Sequence, residues 1–358
     1  MVVSKVPDAP RTDSARQELQ AAAALVALAA AALLAQVPAP LVERLYASGM
    51  YAFIQPLLTL VANLVPIALV DLLLTGAAAA FIVWIARAVR WPRTHIWRLF
   101  TRTAALAAGA VLAMTVTFGA NFRRESLRDS PRFVAERVTY DSVVALAERA
   151  VRTLNSAHAQ LPATWPSPRE MRAALAPAVA EASRALGMSW RPRAARPKLS
   201  ALNLMLERTG LNGIFVPPFL EVVVNESLLS FEQPYVLAHE WGHGAGRANE
   251  SEAAYFGWIV CSGGPVWAQY SAWLRVHEYA LAELSREDRA RIVAMLEAGP
   301  RADLRARDAR FRASYNPRAA RVRRAVDRQI SAAGRVRPEQ RNYGLVVQLI
   351  LGLPGAAP

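Results

Sequence analysis

The chain has 358 residues, of which 54% are hydrophobic, a formal net charge of +14 and one cysteine, Cys261. A single cysteine excludes an internal disulfide and any zinc site built from several thiolates, so a metal would have to rest on histidine and carboxylate. Lys5 and Lys198 are the only lysines; the scattered arginines form no stripe interleaved with aromatics, so no nucleic-acid partner is expected, and anionic lipid headgroups account for the charge more simply.

Residues 1–20 are polar and read as a disordered N-terminus. Ala21–Val37 is an uncharged Ala/Leu run that reaches about 26 Å as a helix, just enough to cross a bilayer core. A cleaved signal peptide is the rival reading, but the polar lead-in favours an uncleaved span. Pro56, Asn63 and Pro66 interrupt the next uncharged stretch, and Asp71 separates it from Leu72–Ala86. We therefore expect a membrane domain over 21–122, with spans at about 21–37, 67–86 and 103–122 and an interfacial or re-entrant segment at 41–65. Arg87, Arg90, Arg93, Arg98 and Arg102, with Trp84, Trp91 and Trp97 at the boundary, mark a cytoplasmic loop, which puts residues 123–358 on the outside. Arg123, Arg124, Arg128, Arg132 and Arg137 pull the other way.

Residues 123–358 have the size of one domain. Tyr140–Ala159 and Ser167–Leu186 carry apolar residues at helical spacing, the second opening with a Ser167/Glu170 capping box. A Pro/Arg-rich connector runs from Arg191 to Lys198. Gly213–Val224 is the one strong strand signal, and Pro217 and Pro218 confine it to an edge or hairpin. Arg301–Arg328 reads as a solvated helical face, and Tyr343–Leu353 as a short apolar element packed on the domain or the membrane surface.

The chemistry concentrates after Ser230. Ser230 with Gln233 fits a capping box, and Pro234 suits a first turn, so a helix is predicted here. On it His239 and His243 lie four residues apart on one face, where two imidazoles can share a Zn²⁺. Glu240 then projects beside the metal, placed to take a proton from water. Gly242, Gly244 and Gly246 fit a helix that packs closely and turns sharply at its end.

For a third ligand the candidates are Glu250 and Glu252. If a second helix begins near Asn249, Glu250 stands at the head of a small-residue stripe, Ala253, Ala254, Gly257 and Cys261, that would let the two helices approach. Glu252 shares its face with Tyr255, Phe256 and Ile259. Glu250 is preferred; both glutamates would also suit a solvated helix start. Tyr270 and His277 are candidate donors to a transition-state oxyanion.

The motifs His239–Gly246, Glu250-Ser251-Glu252-Ala253-Ala254 and Tyr270-Ser271-Ala272-Trp273 resemble those of a bacterial membrane family of unknown function, with three N-terminal spans and a zincin-like domain. The resemblance covers most of the chain. It implies a mainly α fold: transmembrane helices followed by a mostly helical zincin-like α+β domain with a short edge strand or hairpin. It also implies a multi-pass protein of the bacterial cytoplasmic membrane, whose C-terminal domain the arginine distribution puts on the extracytoplasmic side. The Glu-x-x-Ala element is similar to the third-ligand helix of thermolysin-like and CAAX-type peptidases, in which an acidic residue four positions on supports a ligand histidine. Here that position is Ala254.

The function expected is that of a zinc metallopeptidase acting on a peptide or protein, with His239, His243 and Glu250 on the metal and Glu240 as general base. The alternative is a non-catalytic zincin-like membrane scaffold or sensor.

Overall fold

The computed structural model describes residues 11–332 and 344–353. The chain divides into two compact units, 1–36 with 70–117, and 37–69 with 118–358.

The first unit consists of helices Arg11–Leu34, Leu69–Arg90 and Pro92–Thr117. Residues 11–20, expected to be disordered, are helical; residues 1–10 lie outside the described part. The reason is a charge partner the local sequence hides: Glu18 pairs with Arg102 at 3.0 Å and with Arg98 at 3.7 Å. The arginine loop is also shorter than expected. Helix Leu69–Arg90 runs to Arg90, and Pro92 starts the next one, because proline has no N–H to continue the helix before it. Contact is made through small residues, with Ala22, Ala29 and Ala108 buried, while Leu28, Leu72 and Ile82 stay exposed. Apolar side chains outside and alanines inside are what a lipid solvent selects.

Among the described residues, four helices are long and apolar enough to cross a membrane: Ser14–Leu34, Ala39–Asn63, Leu69–Arg90 and His95–Thr117. Ala39–Asn63 is one continuous helical run, π-helical over Val42–Met50, that ends at Asn63 within the 41–65 segment, and it belongs to the second unit rather than with the other three. One of its faces, Tyr51, Gln55, Thr59 and Ala62, is buried. Tyr51 donates to the Gly244 carbonyl at 3.0 Å. Gln55 bonds the backbone of Arg193 in both directions, at 2.9 and 2.8 Å. Asn63 does the same with the Ala194 carbonyl and the Arg196 N–H. Phe53, Leu57 and Leu64, on the other side, are exposed. The buried Lys198 ammonium closes the helix end, donating to Ala62 and Val65 and pairing with Glu221 at 3.3 Å.

Within the second unit, helices Val179–Ala185, Gln233–Gly244, Val266–Ala282 and Gly344–Gly352 surround Glu250–Ser262, and Tyr140–His158 packs against Val266–Ala282. Eleven residues of Glu250–Ser262, from Ser251 to Cys261, are buried. A helix apolar all round belongs at the centre of a core. Ser167 and Glu170 form the expected capping box.

Gly213–Val224 is not one strand but a hairpin. β1 (Gly213–Val216) and β2 (Glu221–Val224) pair antiparallel, Gly213 opposite Val224 and Val216 opposite Glu221, with the two prolines in the turn. Lys198 N–H bonds Val222 O at 2.9 Å and covers the far side of β2. The outer edge of β1 has no partner strand among the described residues. Asn225 N–H bonds Asn212 O at 2.9 Å, and the pairs alternate along the ladder. It follows that Gly213 and Phe215 turn their amides outward, away from β2.

Candidate metal centre

The histidines stand on helix Gln233–Gly244. Its expected Ser230/Gln233 capping box does not form: Gln233 donates to the Leu228 carbonyl at 3.2 Å, and Glu232, the capping residue, accepts the Leu229 N–H at 3.0 Å. The chain leaves the helix at Gly246, whose φ of 78° favours glycine. A Cβ there would come within 2.9 Å of Arg124 Nη1. Arg124 is held by Glu43 at 2.5 Å and donates to the Gly246 carbonyl at 3.2 Å.

The following helix starts at Glu250, because the Asn249 side chain accepts the N–H groups of Ser251 and Glu252 at 2.8 and 3.4 Å. The two helices meet through the small residues of the predicted stripe. A Cβ on Gly242 would lie 2.7 Å from Ala253 Cα, and one on Gly257 2.8 Å from the His239 nitrogen.

This approach brings His239, His243 and Glu250 together, with ligand atoms all within 4.8 Å of one another. Glu250 Oε2 is 3.3 Å from His239 Nε2 and 3.7 Å from His243 Nε2. Donors about 2.0–2.1 Å from a tetrahedral zinc stand roughly 3.4 Å apart, so the spacing fits such an ion. The imidazole planes cross at 88° with centroids 4.9 Å apart.

Burial alone would raise the Glu250 carboxyl, yet the His243 charge and hydrogen bonds from both imidazoles hold it well below the usual carboxylate range. Burial would lower His243, but Glu250 outweighs it and, with Glu240 and the Arg247 carbonyl, raises the imidazole to about 9. His243 Nδ1 lies 2.8 Å from that carbonyl, which assigns its proton to Nδ1 and turns Nε2 toward Glu250. His239 Nδ1 is buried without a hydrogen-bond partner. The position that would orient it is Ala254, whose carbonyl receives the Tyr235 hydroxyl at 3.2 Å.

Glu240 is 4% exposed and is not among the three converging groups. Burial raises its carboxyl, opposed by the two imidazoles and by a backbone hydrogen bond from Phe215. Gly213 makes room for it, since a Cβ there would come within 2.7 Å of Oε1. Glu252 is committed elsewhere: buried, it accepts the Leu127 N–H at 2.8 Å and pairs with Arg247 at 3.4 Å.

Tyr270 and His277 do not join the cluster. The Tyr270 hydroxyl donates to Asp303 at 2.6 Å. His277 is 1% exposed, neither of its ring nitrogens has a partner, and burial lowers it to about 4. Two residues that the sequence reading missed lie closer. The Tyr235 ring is 6.3 Å from that of His239, and the Tyr279 hydroxyl is 3.4 Å from that of Tyr235. Burial raises the Tyr279 phenol, Arg275 opposes this, and the charge of Glu250 adds to it. Tyr235 had a signal, four residues before His239; Tyr279 had none.

The chain belongs to the family described as "Protein of unknown function (DUF3810)", which it matches over residues 46–351. No curated protein and no solved structure matches it.

Proposed function

We propose that this family member is a membrane-anchored zinc metallopeptidase, with His239, His243 and Glu250 as ligands and Glu240 as general base. What supports the reading is the convergence of two imidazoles and one carboxylate at zinc spacing while a second carboxylate stays apart. A purely structural site has no use for that fourth group. Bound there, zinc supplies a Lewis acid and brings a water pKa to about 7.

The chain's own residues would do the rest. Glu240, its carboxyl raised by burial and anchored by the Phe215 N–H, takes the proton of the attacking water and passes it to the leaving amine. An extended peptide along β1 would meet the outward N–H and C=O of Gly213 and the C=O of Phe215. Tyr279, beside Tyr235, is the best-placed donor to an oxyanion.

The membrane reading keeps three spans and lays Ala39–Asn63 along the bilayer surface. Its buried face binds the backbone of Arg193 and Arg196, and carrying these arginines to the bilayer centre would cost about 2.5–3.5 kcal/mol each. On this reading, with the arginine loop in the cytoplasm, three spans would carry the candidate metal centre to the outer side of the bacterial cytoplasmic membrane.

The scaffold or sensor reading draws on one observation, the unpartnered Nδ1 of His239. Comparing the membrane proteome of cells carrying wild type or Glu240→Gln separates the two. Uncleaved proteins that accumulate only in the variant support the peptidase; identical proteomes favour the scaffold.

A further inference from the structure

On the other side of the histidine helix is a cavity of about 700 Å³. Leu237, in its wall, is two residues before His239 and so faces away from the metal ligands. Met171, Leu199 and Val224 supply further apolar wall, and Arg169, Arg172 and Arg196 stand around it. Among the described residues none of these three arginines has a carboxylate within ion-pair distance. Arg172 donates from Nε and Nη2 to the Ala194 carbonyl, keeping Nη1 for another acceptor, and one Arg196 donor goes to Asn63 O. Burial and the charges of Arg196 and Arg193 all disfavour the Arg172 cation, the mark of a cluster with an unmet demand for negative charge. The one carboxylate in the wall is Glu226; Lys198, also in the wall, pairs with Glu221.

The volume falls in the range of about 300–1,000 Å³ typical of small-ligand pockets. Its rim is continuous with exposed apolar surface, Leu64 at 75%, Leu199 at 61% and Ile67 at 43% exposed. Guanidiniums beside an apolar wall that opens onto an apolar rim match one ligand chemistry, an anion carrying a hydrocarbon chain.

We propose that this cavity holds one anionic phospholipid, its phosphate on Arg169, Arg172 and Arg196 and an acyl chain against Met171, Leu199 and Leu237. This does not depend on the metallopeptidase reading, because the cavity and the metal ligands lie on different faces of the helix.

The test is native mass spectrometry of the full-length protein in detergent, titrated with phosphatidylglycerol or phosphatidylcholine. The wild type should retain one phosphatidylglycerol at concentrations where phosphatidylcholine is lost. Arg169→Gln with Arg196→Gln should weaken retention roughly ten-fold or more, and Leu199→Glu should weaken it as well. Arg169 is exposed and makes no ion pair among the described residues, so Arg169→Gln alone, expected to fall about five-fold, decides the matter if the double variant melts early. Equal retention of the two lipids, or unchanged retention in Arg169→Gln, overturns the proposal. Displacement by inorganic phosphate, with Leu199→Glu behaving as wild type, would assign the cluster to free phosphate and overturn it too.

Discussion

Gly257 lies directly beneath the backbone of His239, so close that a Cβ on it would stand 2.8 Å from the histidine nitrogen. That contact sets the gap between the helices that carry His239 and Glu250, and their convergence depends on it. Gly257→Val should force them apart and cost about 1–3 kcal/mol, as overpacking of a tight core does. Zinc content should fall with it. The same substitution melting like wild type with full metal would show that the gap is not critical.

Glu240→Gln should keep zinc while hydrolysis of an unstructured protein falls by about 10²–10⁴, the usual contribution of a positioned base. Gly213→Ala acts on the same carboxylate from outside, because the new methyl occupies the space next to Oε1. It should lower kcat and spare the metal. Loss of zinc in either variant would mean that Glu240 supports the ligands rather than the reaction.

Tyr279 and Tyr270 should separate in their effects. Tyr279→Phe should lower kcat by about 10²–10³ with KM little changed, as removal of one oxyanion donor does. Tyr270→Phe, which breaks the bond to Asp303, should cost about 1 kcal/mol of stability with kcat intact. Reversal of the two outcomes in steady-state kinetics and thermal melts would return the donor role to Tyr270.

His277 should make the fold acid-sensitive. Its native value is about 4, against about 6.5 when unfolded, so between those values the unfolded chain binds the extra proton. Stability is then complete above pH 6.5 and declines as pH falls toward 4, by about 3 kcal/mol from this group. His277→Leu should flatten that part of a melting-temperature profile against pH. An unchanged slope would assign the acid sensitivity to other groups.

The two helices that carry the candidate site were legible because their signals are local. Four-residue spacing aligned His239 with His243, and the small stripe from Ala253 to Gly257 gave the close approach that ranks Glu250 above Glu252. Failures came where a distant partner decides. Helix formation over 11–20 draws on Arg98 and Arg102, and the start of the histidine helix is fixed by Leu228 and Leu229 rather than Ser230. The hairpin was foreseen only as an option, since prolines that end one strand can equally turn it back. Tyr279 was beyond reach, because only the fold carries it to Tyr235.

Metal analysis of the purified chain tests the account most directly. Wild type and Glu240→Gln should each carry about one zinc per chain, and His239→Ala should carry none. Equal zinc in wild type and His239→Ala would contradict the site.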